Sequence, residues 1–209
     1  MSIQNVARLG LLCAALAVAF QAAAEPAIVY DMGGKFDKSF NEAAFRGMEQ
    51  WKKESGKPYL DFEIANESQR EQAIRRMAER GASRIIGIGF GQASSIEKIA
   101  KEFPKLQFAI IDMVVNQPNV QSVVFKEHEG SFLVGAMAAM ASKSGKVGFV
   151  GGMDIPLIRK FQCGYEQGAK YANPKAEVFA NMTGTTGAAW SDPARGGELA
   201  KAQFAKGAD

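Results

Sequence analysis

Ile28 to Met48 reads IVYDMGGKFDKSFNEAAFRGM, and its reading decides the fold. Ile28-Val29-Tyr30 is a short apolar run of β-favouring residues. Asp31 ends it, and Gly33-Gly34 punctuates a turn. Ser39-Phe40-Asn41-Glu42 fits a capping box, in which a Ser hydroxyl accepts from the N3 amide and a Glu reaches back to the N-cap amide. Phe40, Ala43, Ala44, Gly47, Met48 and Trp51 follow at helical spacing. A strand, a glycine turn and a helix place Asp31, Phe40 and Asn41 at the C-terminal edge of a sheet, where open α/β folds hold ligands.

Outward from this stretch the rhythm repeats. Tyr59 to Ala65 alternates as a strand. Ser68-Gln69-Arg70-Glu71 is a second capping box, and Ala73, Ile74, Met77 and Ala78 form the inner stripe of its helix, which stops at Gly81. Arg84 to Ile88 is a third strand running into Gly87-Ile88-Gly89-Phe90-Gly91. A helix from about Ser94 carries Ile96, Ile99, Ala100 and Phe103 on one face, and Gln107 to Ile111 is a fourth strand ending at Asp112. The order β-α-β-α-β-α-β predicts a parallel sheet covered by helices. Met113 to Asn119 is too short for a helical crossover, and Val120 to Phe125 is a further strand.

Lys126-Glu127-His128-Glu129 marks the passage to a second lobe, so residues 25–125 form one α/β lobe and 126–209 another. The second contains a small-residue helix over Gly130–Ser144, a strand from Lys146 to Val150 and a helix over Leu157–Ala172. A strand from Ala176 to Met182 and a Gly/Thr loop come next, then a helix with Asp192 as N-cap and Pro193 at N1. AKAQFAKGAD at the end parallels AERGAS at Ala78–Ser83, which leads straight into a strand. The expectation is therefore a second lobe truncated at its C-terminus, or completed by a partner.

Residues 1–24 have the pattern of a cleaved signal peptide: Arg8, an apolar run from Leu11 to Phe20, and Ala22-Ala23-Ala24 before Glu25. Leu12 stands before Cys13 where lipidation wants a small residue, so ordinary cleavage and a periplasmic location are expected. The mature chain keeps Cys163 alone, read as a buried small hydrophobe.

With 47% hydrophobic residues, 22% charged and a net charge of +3, the chain is an ordinary globular protein. It has no basic stripe interleaved with aromatics, which argues against nucleic-acid binding. GIGFG is G-x-G-x-G rather than the dinucleotide fingerprint, so a tight strand-to-helix turn with Phe90 beside the cleft is expected. His128 is the single histidine and has no companions for a metal site or a triad. No cofactor is expected. Asp31 and Asp112 both end parallel strands and can face one cleft. Trp190 sits in a Gly/Thr loop outside any apolar stripe, and a ring there can stack a planar ligand.

DMGGKFDKSFNEAAFRGM, GIGF, FAIIDM, EGSFLVGAMAAM, KVGFVGGMDIPLIRKFQCGYEQGAKYANP and WSDPARG together resemble the basic membrane protein family of ABC-importer substrate-binding proteins, whose best-known ligands are purine nucleosides. The resemblance implies a type I periplasmic-binding-protein fold, two Rossmann-like lobes joined by a hinge. It implies that Phe40 and Trp190 sandwich a base and that Asp31, Asn41 and Asp112 surround the nucleoside. It further implies a monomer that delivers its ligand to an inner-membrane permease and catalyses nothing. A receptor for a sugar or other small polar metabolite, or an exported nucleoside-acting enzyme, are the alternatives.

Overall fold

The computed structural model describes residues 24–209, so the signal-peptide expectation falls outside the described residues but for Ala24. The chain divides into two units, one ending at Val124 and one spanning Phe125–Asp209.

The first unit is built on a five-stranded sheet in the order β2-β1-β3-β4-β5. Its strands are β1 (Ala27–Tyr30), β2 (Leu60–Glu63), β3 (Arg84–Gly87), β4 (Gln107–Ile111) and β5 (Val120–Val123). Every pairing is parallel. Three helices connect them: α1 (Phe40–Ser55), α2 (Gln69–Glu79) and α3 (Ala93–Glu102). β1 lies between β2 and β3, and all four of its residues are buried. Its side chains alternate between two cores, as the two-residue period of a strand requires. Ala27 and Val29 pack with Ile85, Phe108 and Ile110 against Ile74 and Met77 of α2 and Ile96 and Ile99 of α3. Ile28 and Tyr30 pack on the other face with Met48, Phe45 and Trp51 of α1. The buried stripe of α1 is thus shifted from the expected one, leaving Ala43 and Gly47 exposed.

β4 and β5 are parallel neighbours although only a short segment without a helix joins them. That segment is held by its own chemistry: Val115 is buried, and the Asn119 amide donates to the carbonyls of Ala100, Phe103 and Leu106 at 3.1, 3.2 and 2.9 Å. Asn119 thereby satisfies carbonyls at the end of α3 that a helix leaves unpaired.

The second unit contains α4 (Glu127–Ala141), β6 (Lys146–Met153), α5 (Pro156–Ala172), β7 (Glu177–Gly184) and α6 (Pro193–Ala205). β6 and β7 are parallel, from Lys146 opposite Glu177 to Met153 opposite Gly184. α4 and α5 approach backbone to backbone. A Cβ on Gly168 would lie 1.9 Å from the Phe132 carbonyl oxygen, and one on Gly135 2.0 Å from that of Tyr165. α6 docks on the strands through Gln203, whose amide nitrogen donates to Phe149 O and Asn181 Oδ1, both at 3.0 Å. Cys163 is exposed on α5, contrary to the expectation, because the α5 contact with α4 runs through Gly164 and Gly168 instead.

Candidate functional site

The C-terminal edge of the five-stranded sheet carries five of the six expected site residues. Asp31 follows β1, Phe40 and Asn41 open α1, Phe90 follows β3, and Asp112 follows β4. Trp190 belongs to the second unit.

Asn41 is 1% exposed and spends its side chain on the backbone. Its Oδ1 accepts from the Asp31 N–H at 2.9 Å, and its Nδ2 donates to the carbonyls of Asp31 and Met32 at 3.2 and 3.4 Å. It clasps the end of β1 to the start of α1. The helix start is capped differently from the box read in the sequence. Ser39 makes no side-chain cap bond. Asp37 accepts from the amides of Ser39, Asn41 and Glu42 at 2.9, 3.0 and 3.1 Å. Burial pushes the Asp37 carboxyl up, and these amides outweigh it, so the group is held below its usual range. Ser68 likewise caps nothing, its hydroxyl turning to Asn66 Oδ1 at 2.6 Å. The intervening loop is pinned to β2 by Lys35, whose amide donates to Glu63 and whose ammonium donates to Asp61 at 2.6 Å.

The Asp31 carboxylate is held just as firmly. Its Oδ1 accepts from the Met32 amide at 2.8 Å and from Arg70 Nη1 at 2.5 Å. Arg70, from α2, is buried. The glycines of GIGFG make room for this pair. A Cβ on Gly89 would lie 2.4 Å from Asp31 Oδ2, and one on Gly91 2.8 Å from Arg70 Nη1. Gly89 also has φ +94°, a conformation other residues avoid. The motif is a cradle for an ion pair, which neither its spacing nor a tight-turn reading discloses.

Phe40 is 37% exposed at the first position of α1, a large ring left facing outward beside the clasp. Phe90 is half-buried in the 3-10 turn Phe90–Gln92. Asp112 is half-buried with φ +69°, a left-handed strand end that Asp tolerates better than most residues.

In the second unit Trp190 lies in the 3-10 turn Gly187–Ser191 after β7. Its indole rests on bare backbone: a Cβ on Gly152 would fall 2.4 Å from Cζ3. The Thr183 hydroxyl shares its proton between the carbonyls of Ala189 and Gly152, at 2.8 and 3.1 Å, tying the turn to both strands. Asp192 caps α6 by accepting from the Arg195 amide at 2.8 Å, with Pro193 behind it, as the sequence predicts. Trp190 is 47% exposed and held at the strand ends of its own unit.

The family model described as "ABC transporter substrate-binding protein PnrA-like" matches residues 24–209. The chain belongs to this Bmp family. It is 35% identical over 188 residues to the "ABC transporter nucleoside-binding protein BmpA" of Lactococcus lactis, covering 88% of this chain and 52% of that one. It is 31% identical to "Basic membrane protein A2" of Borrelia garinii, covering 88% and 55%. The chain thus spans about half the length of the curated relatives it matches. Among solved structures, an ABC transporter solute-binding protein from Aeropyrum pernix superposes with a TM-score of 0.76 at 28% identity, over 88% of this chain and 53% of that one. A LacI-family regulator from a Rhodococcus species shares the fold at 12% identity, with a TM-score of 0.62 over 88% and 73%. The fold is that of type I periplasmic binding proteins, and the matched family is one of substrate-binding proteins rather than enzymes.

Proposed function

We propose that the protein is the substrate-binding component of an ABC importer. It takes up a purine nucleoside in the periplasm and hands it to a permease in the inner membrane. The observation that carries this reading is the sheet edge itself. An outward-facing ring, Phe40, adjoins Asn41, whose amide fixes the backbone of an acceptor carboxylate, Asp31. A flat heterocycle with N–H donors on its rim suits an exposed ring face beside a carboxylate acceptor. Phe90 and Asp112 stand on the same edge, and Trp190 is a second exposed ring, at the strand ends of the second unit. The name of the Lactococcus relative, a nucleoside-binding protein, favours the same ligand class.

The test is a calorimetric titration of the full-length protein with adenosine, inosine, guanosine and a panel of sugars. Micromolar or tighter binding of a nucleoside is expected. Phe40→Ala and Trp190→Ala should each weaken it by about tenfold or more, since a base–aromatic stack contributes ~1–3 kcal/mol. Tight sugar binding with no nucleoside binding overturns the ligand class. Release of free base during incubation overturns the receptor reading.

A further inference from the structure

Arg70 is the buried charged residue that holds the Asp31 carboxylate, and the functional reading has not used it. It is 8% exposed, and arginine is rarely so buried without a partner that requires it. Its partner is Asp31, and the bond goes to one oxygen only. Oδ1 receives both Arg70 Nη1 and the Met32 amide, while Oδ2 takes neither; the carboxylate packs closely on Gly89, and the Asp31 side chain keeps 19% of its surface exposed. Two donors on one oxygen fix the plane of the carboxylate. The Arg70 guanidinium also balances the carboxylate's charge, so that this wall of the edge carries an oriented, ion-paired acceptor.

We infer that Arg70 is a positioning residue: by holding Oδ1 it aims Asp31 Oδ2 at a ring N–H of the base stacked on Phe40, and so sets the selectivity of the site for neutral bases bearing that donor. The inference rests on the nucleoside reading and adds a residue that touches no ligand. A buried ion pair is weak evidence for stability, because apolar replacements of similar volume are often as stable. Its presence together with two glycines that clear space for it points to orientation as its use. Gly89 and Gly91 both border the pair, and a side chain on either would collide with it.

The experiment compares the affinity of the full-length protein for inosine and for 1-methylinosine, whose methyl group replaces the ring N–H. Thermal unfolding is recorded on the same samples. Wild type should prefer inosine by about tenfold or more, the discrimination expected of a hydrogen bond to a charged acceptor. Arg70→Met should bring the ratio close to one, chiefly by weakening inosine. Arg70→Lys keeps the charge without the planar fork and should give an intermediate ratio. Arg70→Met with the wild-type ratio overturns the inference however far its overall affinity or unfolding temperature falls, because that is the mark of a purely structural residue. If Arg70→Met does not fold, Arg70→Lys decides, and a wild-type ratio there overturns the inference equally. A wild type that binds both nucleosides alike overturns it as well. A wild type that binds no nucleoside overturns the functional reading and this inference together, whereas nucleoside binding with an unchanged Arg70→Met ratio removes this inference alone.

Discussion

The two units run along the same path and secure it by different means. β1-α1-β2-α2 in the first corresponds to β6-α5-β7-α6 in the second, each a pair of parallel strands with helical crossovers. β1 has neighbours on both edges and helices on both faces, and it is buried throughout. β6 pairs, among the described residues, with β7 alone, and most of its residues are only half-buried. Large side chains fill the cores of the first unit. In the second, α4 and α5 touch through glycines, and α4 leaves Leu133, Val134, Met137 and Met140 exposed. A strand becomes core through its neighbours as much as through its own residues, since VGFV at Val147–Val150 is no less apolar than AIVY at Ala27–Tyr30.

The contrast is open to attack from the second unit first. Gly168→Val forces a side chain into the Phe132 carbonyl and should destabilise that unit by about 3 kcal/mol, the upper range of overpacking. Hydrogen exchange should then show protection lost over 125–209 and kept over 24–124. Loss spread evenly over both units would mean that they unfold as one. Next, Asn41→Ala removes the clasp and leaves the backbone groups of Asp31 and Met32 short of partners. A cost of about 2 kcal/mol is expected in denaturant unfolding, with exchange accelerated near β1 and α1.

A smaller effect separates two candidate caps. Asp37→Ala should cost about 1 kcal/mol, and Ser39→Ala should be close to neutral. Because the folded Asp37 carboxyl is held below its ordinary value of 3.8, its contribution is present above that pH and fades as the pH falls below it. The stability difference between wild type and Asp37→Ala should therefore shrink in acid; a difference unchanged at low pH would rule out the carboxylate as the cap. The smallest effect lies at Asp209, whose carboxylate accepts from the Ser142 and Ser144 hydroxyls and the Lys143 and Ser144 amides. The Ser142 hydroxyl leads in lowering it from 3.8 to about 2, so this tie persists above pH 3.8 and loosens as the pH falls through about 2. A carboxyl resonance titrating near 4 would contradict it.

The sequence disclosed the strands well, because buried parallel strands are short apolar runs between turn residues, and it placed the sheet edge correctly at Asp31 and Asp112. It misassigns the caps because a Ser at the right spacing looks the same whether an Asp reaches the amides first, as Asp37 does for α1, or the hydroxyl turns to a neighbour, as Ser68 does to Asn66. The role of Arg70 is illegible for a related reason. In the sequence it is one polar residue of a helix start, and its partner lies 39 positions away. The need for Gly89, Gly91 and Gly152 was equally hidden. Each glycine reads as a turn or a strand residue, while the Asp31, Arg70 or Trp190 side chain that excludes a Cβ comes from elsewhere in the chain.

The three hydrogen bonds made by Asn41 bear on the thermodynamics of capture under the proposed function. A binding surface made of loose loops loses conformational freedom when a ligand arrives, and each rotamer-rich side chain that becomes ordered costs about 0.5–1.5 kcal/mol. Here Asn41 has already frozen the strand end and the first helical turn that carry Asp31 and Phe40. In the proposed function that half of the edge meets its ligand preorganised, with its ordering entropy surrendered when the chain folded.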